Sequence, residues 1–171
     1  MKEDGTIQSV VGSQMGTEKI IEFEGRIFMD ATGDGTIGQL AGAPSAMGKE
    51  ERQKYGESLA PLKPEKTTFG NTIFFFTQNA GKPVAYKAPD FAYPMEQIEV
   101  EMGGMQNTID DAQEIGLELK RLVTGVWNYI KNSGRFQADQ LTLSWEGNLP
   151  GKRESRRMIT EKVLCQKDVL E

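Results

Sequence analysis

The sequence has no histidine and only one cysteine, Cys165, among its 171 residues. Without histidine, Ser-His-Asp and Cys-His nucleophile systems are excluded, as is every imidazole-ligated metal site. A lone cysteine rules out an internal disulfide and leaves no thiolate set for zinc. Proton transfer therefore falls to Asp, Glu, Lys or Tyr, or to a bound cofactor. Long apolar runs are missing too: none approaches the roughly 20 residues of a membrane-spanning helix. No apolar stretch follows Met1-Lys2-Glu3-Asp4-Gly5, so the start does not read as a secretory signal. There is no excess of positive charge, the formal net charge being −5. A general attraction for nucleic-acid phosphates is thereby excluded.

What is present is the composition of a soluble folded chain, 37% hydrophobic and 26% charged. The pattern predicts an α+β fold that opens on a β-meander. Residues 6–11 and 19–24 read as strands about a glycine-bounded turn, with Ile21 and Phe23 sharing one side. Residues 26–29 form a short continuous apolar run that reads as a third strand, buried on both faces. Residues 36–41 predict a short helix capped by Asp34 or Thr36, and residues 49–55 a second one. Residues 56–67 read as a loop.

Residues 71–77 are the strongest strand signal, with residues 83–86 as the expected partner across a turn at residues 79–82. Residues 109–132 predict the one long helix. Ile109, Ala112, Ile115, Leu119, Leu122, Val123, Val126, Trp127 and Ile130 recur at three- and four-residue steps on one face. Thr108 is the expected cap, and Gly134 the expected stop. Residues 141–145 read as a further strand in a mixed or antiparallel sheet, while residues 158–164 fit helix or strand. Trp127 belongs on the core stripe, Trp145 is expected to pack in the core, and Cys165 to be a buried apolar residue.

Three stretches invite chemical readings. Gly33, Gly35 and Gly38 match G-x-G-x-x-G after a strand and before a short helix. A primary dinucleotide fingerprint would lead into a βαβ unit with an acid about 20 residues on. Here a Gly/Pro-rich loop follows, which leaves a glycine-rich turn beside a cofactor. Asp30 and Asp34 suggest a calcium loop, but Thr32 stands at its third position and Ala41 at its twelfth, so the ligand set fails. Residues 147–152 suggest a phosphate loop, but the glycine spacing is one residue short and Arg153 replaces the magnesium-binding hydroxyl. Lys152, Arg153, Arg156 and Arg157 remain, four cations within six residues. They form either a solvated face ion-paired to Glu146, Glu154 and Glu161, or an anion site built on the planar guanidinium fork.

Taken together, Phe28-Met29-Asp30-Ala31-Thr32-Gly33-Asp34-Gly35, Gly125-Val126-Trp127-Asn128-Tyr129-Ile130-Lys131-Asn132 and Leu149-Pro150-Gly151-Lys152-Arg153-Glu154-Ser155-Arg156-Arg157 resemble the FAD-dependent oxidoreductases common in bacteria. The resemblance implies that Thr32, Gly33, Asp34 and Gly35 lie near the flavin. It implies that Arg153, Arg156 and Arg157 face the interior and contact substrate, and that residues 67–140 are substrate-side. Residues 1–45 are then a remnant of the FAD-binding domain, and residues 46–171 a substrate-side domain with its return segment.

The family's N-terminal dinucleotide fingerprint and its C-terminal flavin-site segment have no counterpart in the sequence, and residues 94–102 are shorter than the family's region there. The expectation is an internal fragment of an enzyme that passes a hydride from a small organic substrate to FAD. The fragment itself would be inactive. The alternative is a non-catalytic binding or assembly module. On either reading the chain's expected partners are a small molecule and a second copy meeting it through the exposed domain interface, with no nucleic acid and no membrane.

Overall fold

A computed structural model describes residues 1 and 3–170. The chain forms two compact units, Met1–Glu65 with Arg156–Glu171 (unit 1) and Lys66–Ser155 (unit 2). The changes of unit thus fall after residues 65 and 155. The fold is mixed α+β, with small antiparallel sheets and one long helix.

Unit 1 begins with an antiparallel hairpin, β1 (Ser9–Ser13) against β2 (Ile20–Glu24), in register from Ser9 opposite Glu24 to Ser13 opposite Ile20. Every residue of β2 is exposed. The expected third strand at residues 26–29 does not form, and Ile27 and Met29 are 91% and 90% exposed. A strand buried on both faces needs elements packed on both sides, and the described residues of unit 1 supply neither. The meander is therefore a hairpin.

Next come α1 (Thr36–Leu40), β3 (Ser45–Met47) and α2 (Arg52–Tyr55). After the other unit, β6 (Arg156–Met158) returns to pair with β3, setting Ala46 opposite Arg157, and α4 (Gln166–Leu170) follows. The stretch left open between helix and strand is thus strand at its start, irregular from Ile159, and helical only beyond it.

Unit 2 is organised by α3 (Ala112–Asn132). Its apolar stripe buries Ile115, Leu119, Val123, Val126 and Trp127, and Ile73 joins the first three in one cluster. Each such side chain contributes roughly 1.5–3 kcal/mol on leaving water. Thr108 is not the cap. Asp111 takes that position, and the Asn107 side-chain oxygen accepts the amides of Ile109 and Asp110 at 3.1 and 3.3 Å. Thr108 is instead buried, donating its hydroxyl to Ser155 Oγ at 2.8 Å. At the other end, Gly134 adopts φ 72°, a left-handed stop that only glycine reaches without strain. Lys131 Nζ ties this end down by donating to the carbonyls of Ala138, Asp139 and Leu141.

β4 (Phe75–Asn79) pairs antiparallel with β5 (Leu141–Glu146), with a bulge between Phe76 and Thr77. Residues 83–86, the expected partner, are irregular. Pro83 has no amide to give a ladder, and Val84 N donates to Asp139 O at 2.9 Å instead. Trp127 is core, meeting Phe75 and Tyr86 edge-on at 5.8 and 6.0 Å. Trp145 is not. It stands 51% exposed beside Phe76 on the open face of β4 and β5.

Candidate functional site

The turn before α1 is held by its own carboxylates. Asp30 Oδ1 accepts from the amide and the hydroxyl of Thr32 at 3.0 and 2.7 Å, and Asp30 Oδ2 from the amide of Gly38 at 3.0 Å. Burial raises the carboxyl pKa of Asp30, but the Thr32 hydroxyl and the Gly38, Thr32 and Ile37 amides outweigh it and hold it below the ordinary value. The helix is capped by Gly35 at φ 70°, with Asp34 fully buried and accepting the Thr36 hydroxyl at 2.7 Å. Neither Asp34 nor Thr36 caps it. The Thr36 amide goes to Thr32 Oγ1 at 2.9 Å.

The glycines of this turn have a packing role. A Cβ on Gly35 or Gly38 would come within 2.6 Å of Met158, which β6 lays across α1. Thr32 and Gly33 are exposed and Gly35 is half-buried.

The arginines are divided between the units. In unit 1, Arg156 is 8% exposed, and Arg157 pairs with Glu50 at 2.9 Å and donates to Gly48 O. Burial and Arg157 act oppositely on Glu50: burial raises its pKa, while its own amide, Arg157 and Lys54 bring it below the usual range. Arg157 also lines a cavity of 590 Å3 with Lys49, Tyr55 and Leu164. Cys165, in the same unit, is half-buried and donates its thiol to Asp168 Oδ2 at 3.2 Å, so it is not the apolar core residue expected.

Arg153 belongs to unit 2 and is exposed. Its guanidinium lies 4.4 Å above the centre of the Phe69 ring and is ion-paired with Glu101. Both contacts depend on a close backbone pairing. Thr68 N donates to Gly104 O at 3.0 Å, and Asn71 and Met102 exchange amide bonds at 2.6 and 3.0 Å. A Cβ on Gly104 would meet Thr68 O at 2.6 Å, and one on Gly70 would meet Met102 N at 2.7 Å. Glu101 also lines a cavity of 320 Å3 whose walls include Ile73, Phe75, Val123 and Val126. The nearby Lys152 donates to Thr108 O at 3.1 Å.

A family model described as FAD dependent oxidoreductase matches residues 1–111. The chain belongs to that family. No curated protein and no solved structure matches it. The matched residues hold the turn at 30–38 together with Phe69 and Glu101, and they end before α3 and the arginines.

Membership in this oxidoreductase family implies FAD, and the turn can be tested against it. A diphosphate needs open amides at a helix N-terminus. Here Asp30 takes those of Thr32 and Gly38, and Thr32 takes that of Thr36. Asp30 already occupies the anion's place, so the turn does not fit a diphosphate. Among the described residues there is no cluster of three or more metal-ligating side chains, and no helix long and apolar enough to cross a membrane.

Sequence reading missed Asp30 as the organiser of the turn, although an Asp two residues before Thr and four before Asp is an Asx-turn signal. It also missed Phe69 and Glu101. No local pattern links Glu101 to Arg153, 52 positions away.

Proposed function

We propose that this chain is a working part of a flavoenzyme that oxidises a small organic substrate, and that the part alone holds FAD too weakly to act. FAD, when bound, accepts the hydride; this chain's own residues bind and orient the substrate. The family match over residues 1–111 carries the reading. The amides of Thr32, Thr36 and Gly38, already taken by side chains of the turn, support the weakness of the isolated chain toward the diphosphate. In this reading Thr32, Gly33 and Gly35 face the ring portion of the flavin, while Asp34, fully buried, holds the turn through the Thr36 hydroxyl. Arg153, exposed to solvent in unit 2, is the substrate contact.

Two preparations test this. The protein expressed from its intact gene should carry flavin that a small organic substrate bleaches, and a preparation devoid of flavin would sink the reading. The 171-residue chain, titrated with FAD and followed by flavin anisotropy, should show no saturable binding. Tight saturation would mean that the turn suffices.

A second reading, a non-catalytic assembly module, is favoured by one observation. Ile20, Phe23, Ile27 and Met29 are 58–91% exposed within one short stretch of unit 1. Apolar surface of this kind marks contact sites. Sedimentation of the chain across a concentration series should show self-association, and a monomer throughout would remove this reading.

A further inference from the structure

The 320 Å3 cavity of unit 2 lies at the small end of the range for ligand sites, roughly 300–1,000 Å3. Its walls are mainly apolar, and Glu101 supplies a charged end. The carboxylate of Glu101 is held by Arg153, whose planar guanidinium is backed by the Phe69 ring. A residue of the cavity wall thus already presents its carboxylate to a planar cation. Arg153 and Glu101 side chains are 46% and 43% exposed. An exposed pair of this kind favours its closed form by no more than about fivefold, so it exchanges readily.

We propose that unit 2 binds a small monocarboxylate with an apolar body, and that Glu101 is a resident stand-in which the ligand displaces. Arg153 keeps its hydrogen bonds by taking the incoming carboxylate, the apolar body enters the cavity along Phe74, Ile98 and Val100, and Glu101 turns to water. Glu99, also on the rim and exposed, disfavours a second negative charge, which selects a monocarboxylate over a dicarboxylate or a phosphate ester. The inference rests on the reading of Arg153 as a substrate contact and gives that substrate its class.

The test is a titration of the full chain with 4-phenylbutyrate in a Trp145→Phe background, which leaves Trp127 as the only tryptophan. Trp127 touches Phe75, a wall of the cavity, and so reports its filling. Saturable binding is expected, with 4-phenylbutyramide weaker by about tenfold, because the charge-assisted bonds to Arg153 are lost. Arg153→Gln should weaken the acid by about tenfold, and Glu101→Gln should tighten it by about two- to fivefold. Both side chains lie on the surface, so both variants fold. Equal binding of acid and amide, an unchanged Arg153→Gln, a weaker Glu101→Gln, or no binding of the acid would each overturn the proposal. No flavin enters this titration, so its failure leaves the flavoenzyme reading standing, and a flavin-free preparation leaves this one standing.

Discussion

Gly125 lies inside α3, where replacing glycine by alanine ordinarily stabilises by about 1 kcal/mol. Here the added methyl would sit 2.0 Å from the carbonyl oxygen of Tyr93 and 2.7 Å from Met95 Cγ. The crossing segment must then retreat by more than 1 Å to regain an ordinary contact distance. That retreat breaks the bond from Tyr93 N to Arg121 O (3.2 Å) and the one from the Tyr93 hydroxyl to Glu118 (2.5 Å). Each is worth about 1 kcal/mol, and uncovering the apolar stem of Met95 adds about 1 more. Against the gain in helix propensity, Gly125→Ala should destabilise by about 2 kcal/mol.

Gly116 on the same helix is the internal control. Its added methyl would meet Pro150 Cγ at 3.5 Å and Cδ at 3.7 Å, ordinary contacts, so Gly116→Ala should be neutral or stabilise by up to about 1 kcal/mol. Urea unfolding followed by tryptophan fluorescence separates the two variants. In thermal melts, Gly125→Ala should lower the midpoint by about 4–8 °C. If Gly125→Ala is as stable as Gly116→Ala, the segment at Tyr93 does not cross α3 there.

Three further outcomes follow from the same contacts. The Asp30 carboxyl is depressed in the folded chain, so its stabilising effect is present above its unfolded value of 3.8 and is lost as pH falls through the folded value. Asp30→Asn should flatten the pH dependence of unfolding below about pH 4, and a persisting slope would mean that other carboxylates carry it. Asp168 is held at about 2 by Lys162 first and then by the Cys165 amide and thiol. A carboxyl NMR titration should place it there, and Lys162→Met should move it back toward 3.8; an unmoved midpoint would refute the pairing. Leu119 is fully buried in α3, so Leu119→Ala should cost about 2–5 kcal/mol by urea unfolding, and a smaller loss would place it outside the core.

The long helix was legible because its signal is local and repeated: one apolar stripe at helical spacing and a glycine just past the end. The hairpin and the short helices α1 and α2 were legible for similar reasons. Caps were harder to read. Asn107 and Thr108 are adjacent candidates with equivalent chemistry, and Thr108 was drawn away by Ser155, 47 residues along the chain. The strands at residues 26–29 and 83–86 were misread because strand signals report a preference for pleated, half-buried surface, and no neighbour supplies that surface in either place.

At the candidate site the division is sharper. The sequence by itself determined which chemistry is closed, through the missing histidine and the lone cysteine. It also determined the family resemblance and the stretches that carry it. Only the tertiary structure decided what those stretches do. It gave the amides of Thr32 and Gly38 to Asp30 and placed Arg156 and Arg157 in one unit with Arg153 in the other. It also laid Arg153 between Phe69 and Glu101. The physical reason is range. Helix periodicity, turn residues and composition act within a few positions, whereas an ion pair or a cavity wall is made by side chains that the backbone brings together from far along the chain.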